Sequence, residues 1–233
     1  DKTGTLTQNK MSVREFITLG SMTSGKHHPS DDRMAADISR ECNNDGDSTE
    51  RALLTYFTEK ADTVPALSRY TRISEFPFDS SRKCMTVVVR NEKGEQYAFT
   101  KGAPEVVLKK CTHVYSDGRI SLLDGRWRGK VEASSNRMAS NALRVLAVAY
   151  RKVLPGENVK DRNSMESKLS LTALFGLADP PRDEAKQAVA ECGAAGIKTV
   201  MITGDHKVTA AAIGREIGIL HEGDEIVTGE ELD

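Results

Sequence analysis

Apolar positions change period several times along the chain, and each change marks an expected element. Residues 31–42 form an expected helix with Ser30 as its cap, and a second helix is expected to carry Ala52, Leu53, Tyr56 and Phe57 on one face, capped by Ser48 or Thr49. Before Ser30 the chain is polar and variable, and residues 21–30 read as a loop or weak hairpin. From Ile73 to Thr100 the signal is β, with residues 84–90 and 95–100 joined across the turn Asn91-Glu92-Lys93-Gly94. Pro104 suits the first position of a helix running to about Cys111. Two Asp-Gly-Arg turns, at Asp117 and Asp124, bracket a short strand. Trp127, Val131, Ser134 and Met138 recur at helical spacing, which predicts a helix over 126–141 with Trp127 in the core. Residues 143–150 and 169–177 read as strands, separated by a charged surface loop over 153–168. Asp179-Pro180-Pro181-Arg182 marks a boundary, because consecutive prolines resist both helix and central strand. Beyond it an α/β unit is expected. Ala185, Ala188, Val189 and Cys192 share a helical face, residues 197–202 form a short buried strand, and a second helix covers 207–217.

Charge narrows the function. The chain of 233 residues holds 33 basic and 34 acidic side chains, so nothing suggests a nucleic-acid groove. Four widely separated cysteines lack the close pairs of a zinc or redox centre and read as reduced thiols. The longest apolar stretches fall far short of the roughly 20 residues that cross a bilayer, and the chain starts without an initiator Met. It therefore reads as an excised, monomeric piece whose membrane helices, if it has any, lie elsewhere.

Candidate chemistry begins at Asp1-Lys2-Thr3-Gly4-Thr5-Leu6-Thr7. A carboxylate followed by a cation, hydroxyls and a glycine suits a turn that holds a phosphoryl group while Asp1 attacks phosphorus. Further along stand Gly46-Asp47-Ser48-Thr49-Glu50, Phe78 five residues before Lys83, and Lys101-Gly102-Ala103-Pro104-Glu105. Arg144 lies within an apolar strand and needs a partner, such as a salt bridge to Glu or Asp. Thr203-Gly204-Asp205 follows a predicted strand, where open α/β sheets place their ligands. The His27-His28-Pro29 run reads as an exposed loop.

Taken in order, DKTGTLT, Phe78 with Lys83, KGAPE, Leu143-Arg144-Val145-Leu146, DPPR and TGD resemble the cytosolic part of the P-type ATPases, type II and closest to the calcium-pump group. The resemblance implies an α/β nucleotide-binding domain, a twisted antiparallel sheet flanked by helices, at residues 9–177. That domain would be inserted into a haloacid-dehalogenase-type Rossmann-like phosphorylation domain represented by residues 1–8 and 178–233. ATP and Mg2+ are the implied ligands. Phe78 would stack on adenine with Glu50 nearby, while Lys83, Lys101, Gly102 and Arg144 line the ATP pocket. Asp179 and Arg182 would position its phosphate end. Asp1, Lys2, Thr3, Thr203, Gly204 and Asp205 would form the catalytic phosphate site, with the metal at Asp1 and Thr3.

Two departures shape the expectation. Related phosphatases carry a second Asp where Thr3 stands, and a threonine cannot serve as their general acid at neutral pH, so an aspartyl phosphate should persist. Many calcium-pump relatives carry Arg where Ser80 stands, which removes one phosphate contact. The family's later Mg2+-binding loop would lie past Asp233, so the chain should bind nucleotide but scarcely phosphorylate itself. The whole protein would sit with this part on the cytoplasmic face of a membrane and move a cation held by membrane helices. Na+/K+ or H+ pumping, a phosphohydrolase and a regulatory binding module are the alternatives.

Overall fold

The structure is a computed structural model and describes residues 2, 4–44, 46–60, 69–204, 207–227 and 231. In chain order the first half runs β1 (Ser12–Thr18), α1 (Ser21–Ser24), α2 (Pro29–Glu41), α3 (Ser48–Glu59), β2 (Tyr70–Asp79), β3 (Cys84–Asn91), β4 (Gln96–Gly102) and α4 (Pro104–Lys110). The second half runs β5 (Cys111–Ser116), β6 (Arg119–Leu122), α5 (Gly125–Ser140), β7 (Arg144–Lys152), α6 (Arg162–Met165), β8 (Leu169–Ala178), α7 (Asp183–Ala194) and α8 (Lys207–Ile217).

All eight strands belong to one sheet in the order β2-β3-β4-β7-β8-β5-β6, with β1 paired to β8. The long β8 takes β7 along one edge. Its other edge is shared by β5, near residues 169–171, and by β1, along residues 173–178. Every pairing is antiparallel except that of β5 with β8.

Strand alternation sorts the core onto two faces. Met85, Val87, Phe99, Val148 and Phe175 pack beneath α2 and α3. Ala147, Ala149, Leu171 and Leu174 pack against α4 and α5 on the other face, where α6 covers Val88 and Ala98 through Met165. Phe16 stacks on Phe175 at 4.9 Å, and Phe57 meets both rings edge-on at 5.6 and 5.9 Å. This nest fixes α3 against β1 and β8, and with it the position of Glu50 in the first turn of α3.

The predicted elements form with few changes of boundary, and the differences have local causes. Residues 12–18, for which no element is expected, form a strand because β8 offers them a ladder. His28, not Ser30, caps α2 by accepting from the Ser30 N–H, and Asp47, not Ser48 or Thr49, caps α3 by accepting from the Glu50 N–H at 2.8 Å. The 153–168 loop contains α6 and buries Met165 and Glu166. Trp127 is half-buried against the second core.

The expected buried strand over 197–202 does not form, and Ile197, Val200 and Ile202 are exposed. A strand exists only through a ladder that satisfies its backbone N–H and C=O groups. Among the described residues none pairs with this segment. Helices α7 and α8, whose hydrogen bonds are internal, do form. Glu216 of α8 ties them to the rest through Arg14 of β1 at 3.3 Å and Lys186 of α7 at 3.5 Å.

Candidate nucleotide site

Antiparallel order brings the C-terminal ends of β2, β4 and β8 and the N-terminal ends of β3, β7 and β1 to one end of the sheet. Phe78, Lys83, Lys101, Gly102, Arg144 and Asp179 are all at or just past those strand ends. Distant positions in the chain therefore share one edge because the ladder folds them back.

Lys101 is central. Its neighbours in register are Met85 and Val148, so it belongs to the face covered by α2 and α3. Its ammonium is buried and donates to Glu50 Oε1 at 3.0 Å and to the Cys42 carbonyl at 2.6 Å. The other Glu50 oxygen accepts the N–H groups of Asn44 at 3.0 Å and Gly46 at 3.2 Å. Burial pushes the Glu50 carboxyl up, but those amides and the Lys101 charge outweigh it and hold the group below its ordinary range. Asp47 and Glu50 thus form a variant capping box, with Glu50 reaching back past the cap to Gly46 and Asn44. The Cys42 thiol donates to the Phe99 carbonyl and burial pushes it up to about 12, so it is no nucleophile.

Arg144 opens β7 and is exposed, with Nη1 donating to Thr49 Oγ1 at 3.3 Å. Among the described residues no carboxylate pairs with it, so the partner is a hydroxyl rather than an acid. Its parity with Leu146 and Val148 puts it on the Lys101 face.

Phe78 reaches this face through a fault in the ladder. Phe76 pairs with Thr86 and Asp79 with Cys84, so β2 spends one extra residue between them. The extra residue reverses the alternation and sets Phe78, adjacent to Asp79, on the side of Met85 and Lys101. Its ring is 63% exposed. The turn that follows is held by Asp79, whose Oδ1 accepts from the N–H groups of Ser81 at 2.8 Å and Arg82 at 3.0 Å. The Ser81 hydroxyl, which also donates to it, and then these two amides hold the Asp79 carboxyl below its usual range. Lys83 closes the turn at φ 51 with its side chain exposed, 3.8 Å from Glu105. Gly102 lies directly across from the next residue, Cys84. A Cβ there would come within 2.5 Å of Cys84 Cβ and of the Lys83 carbonyl, so the glycine is required by the approach of β3 to β4.

A second group gathers where the chain crosses itself. Thr7 bridges to Pro181. Asp179 accepts from the Thr7 hydroxyl at 2.6 Å and the Lys10 N–H at 3.1 Å. Arg182 donates from Nε to the Thr7 carbonyl and from Nη2 to the Gly4 carbonyl, each at 3.0 Å. Both side chains clasp the chain around Gly4 and Thr7, where Lys2 is buried and its carbonyl accepts from the Leu6 and Thr7 amides. Thr203 is half-buried and Gly204 exposed, beyond the extended segment that follows α7. Asp1, Thr3 and Asp205 lie outside the described residues. No cluster of His, Cys, Asp and Glu among the described residues could hold a metal, and no described helix is long and apolar enough to cross a membrane.

The structure therefore unites Glu50, Lys101, Gly102, Arg144, Phe78 and Lys83 at one sheet end, and Lys2, Asp179 and Arg182 at the crossing. Sequence reasoning missed Thr49 as a partner of Arg144, Asn44 as a partner of Glu50, and the inward-facing Arg82 and Glu166. Thr49 was legible as a hydroxyl beside Glu50 but was read as a cap. Nothing local distinguishes Glu166 from the other charges of its loop.

Residues 13–184 match the family described as P-type ATPase, cytoplasmic domain N, and the chain belongs to that family. It is 38% identical over 266 residues to a calcium-transporting ATPase of Bacillus subtilis, with 100% of this chain and 30% of the relative aligned. Calcium-transporting ATPase 1 of Lactococcus lactis is 38% identical over 245 residues, covering 100% and 28%. The corresponding protein of Bacillus cereus is 39% identical over 247 residues, covering 100% and 27%. The chain thus spans less than a third of the length of these relatives.

Proposed function

We propose that this chain binds ATP at the sheet end built from Phe78, Glu50, Lys101 and Arg144, as the nucleotide-binding part of a calcium-transporting P-type ATPase. The observation that carries the reading is the exposed Phe78 ring on the same face as a buried, already oriented lysine and an exposed arginine. An aromatic face takes the purine by stacking, and cations take the phosphates. Lys101 spends two of its three N–H donors on Glu50 and Cys42, so one remains for a ligand oxygen. Arg144 has further N–H donors beyond the one that meets Thr49. Lys83 supports the phosphate side, and Gly102 lets the two strands close beneath the nucleotide.

In the whole protein, residues 9–177 would act as the nucleotide domain, and residues 1–8 with 178–233 as parts of the phosphorylation domain. The clasp of Asp179 and Arg182 on residues 4–10 supports that division, since it joins the two crossings between the parts. Asp1 would attack the γ-phosphorus of ATP, the bond to the bridging oxygen would break, and ADP would leave. Lys2, Thr3, Thr203, Gly204 and Asp205 would surround the transferred group. Mg2+, at Asp1 and Thr3, would offset phosphate charge. The cation would be held by membrane segments of the whole protein, with this part on the cytoplasmic side.

Calorimetric titration of the 233-residue chain with ATP tests the reading. Saturable binding is expected, weakened at least tenfold by Lys101→Ala, the order of one charged hydrogen bond. Binding unaffected by Lys101→Ala would overturn the assignment, and steady phosphate release from simple esters would favour a phosphohydrolase.

A further inference from the structure

Behind the sheet, opposite Lys101, lies a charged cluster that the nucleotide site does not use. Glu166, from the loop after α6, is buried at 4% exposure. It accepts from Arg82 Nη1, from Lys110 Nζ at 3.0 Å and from Thr86 Oγ1 at 3.1 Å. Thr86 in turn meets Thr100 at 2.9 Å across β3 and β4. The parity of Thr86 and Thr100 places this network on the face away from Lys101, so it cannot touch a ligand bound in front.

Its attachments nonetheless run into both strands that bear candidate ligand groups. Arg82 lies in the turn between Phe78 and Lys83, and its other nitrogen, Nη2, donates to the carbonyls of Pro77 and, at 3.5 Å, Phe76. One guanidinium thus spans the peptide just before Phe78 and the buried carboxylate. Lys110 ends α4, the helix that starts directly after Lys101-Gly102-Ala103. Glu166 is therefore a common anchor for the Phe78 turn and for the segment after Lys101. Without it, the turn that follows Phe78 would lose its tie to the rear of the sheet and keep the bonds of Asp79, the β3 ladder, and the contacts of Lys83 with Ala103 and Glu105.

We propose that Glu166 and Arg82 are positioning residues for the nucleotide: they act on the ligand only through the orientation of the Phe78 turn. This rests on the ATP-site reading above. Arg82→Lys leaves a cation against Glu166 but cannot also hold the Pro77 carbonyl, because a single ammonium lacks the planar fork. Glu166→Gln removes the charge that gathers Arg82 and Lys110.

A double-mutant cycle on the 233-residue chain, read by ATP calorimetry with thermal melts as the folding control, tests this. Arg82→Lys and Glu166→Gln should each weaken ATP about tenfold in the parent, yet less than about twofold once Phe78→Ala is present. Each should also shift the Phe78 ring resonances of the ligand-free chain. In a Lys101→Ala background their effect should persist in full. If Arg82→Lys folds and binds ATP as the parent does while Phe78→Ala weakens binding, the positioning role is wrong and the site stands. If Phe78→Ala itself changes nothing, the site assignment fails instead. Full additivity with Phe78→Ala, or unfolding of Arg82→Lys at room temperature, would make the network a plain stability element and would likewise overturn the proposal.

Discussion

Two carboxylates, one half-buried and one buried, meet cations at the same end of the sheet, one on each face. In front, Glu50 pairs with Lys101 in the first turn of α3, beside the exposed Phe78 and Arg144. Behind, Glu166 pairs with Arg82 and Lys110, and Thr86 adds a hydroxyl. The chemistry is alike and the surroundings are not. A charge pair beside an exposed ring keeps a spare donor that can meet a ligand, whereas one gathered behind the sheet on a buried carboxylate holds shape. Burying charge is costly, so each pair persists because its partners are complete.

The largest expected effect sharpens that contrast. Glu166→Ala leaves two cations behind the sheet without their acid and should lower stability by about 3–5 kcal/mol in denaturant unfolding. A loss below about 1 kcal/mol would mean that the rear network is no more than surface decoration.

Gly102→Ala attacks the seam between the two regions, where β4 passes Cys84 and Lys83. The added methyl has no room, and a destabilisation of about 1–3 kcal/mol is expected, with weaker ATP binding in the same variant. Phe78→Ala should behave in the opposite way. It should cost about 1–3 kcal/mol of ATP affinity and leave unfolding within about 0.5 kcal/mol of the parent, because the ring is exposed. Equal losses of stability and affinity in this variant would show that the front is also a scaffold.

The smallest effect concerns acid. The folded Glu50 carboxyl lies below its ordinary value of 4.5, so its ionised form favours the folded state. That contribution is complete above about pH 4.5 and fades as pH falls through the folded value. Stability measured from neutral pH downward should therefore fall less steeply below pH 4.5 in Glu50→Gln than in the parent. Identical acid slopes would contradict the assigned amide and lysine bonds.

Much of this was legible because the relevant patterns are local. Helix α8 falls on residues 207–217 as its apolar spacing predicts, and β3 and β4 flank the Asn91–Gly94 turn as expected. What sequence could not reveal depends on partners far along the chain. Residues 169–177 and 197–202 are both apolar runs, yet only the first finds neighbours on both edges and becomes a strand. In the same way β1 is a strand because β8 is beside it. Phe78, Lys101 and Arg144 were singled out from short motifs. Their common face follows from the extra residue in β2 and from register, which no local pattern discloses. Asp179 and Arg182, expected to position phosphate, bond to the backbone and hydroxyl of residues 4–10, partners that no local pattern discloses. Arg82 and Glu166 meet across 84 positions, a separation at which any of several acids would have looked equally plausible.

The central claim is that the purine rests on the ring at position 78 while the front cations take the phosphates. Intermolecular nuclear Overhauser contacts in the ATP-bound chain test it most directly. The adenine H2 and H8 protons should show contacts to the Phe78 ring, and the Lys101 ε-methylene should shift with the phosphates. Adenine contacts to a different part of the surface, with Phe78 and Lys101 unmoved at saturation, would contradict it.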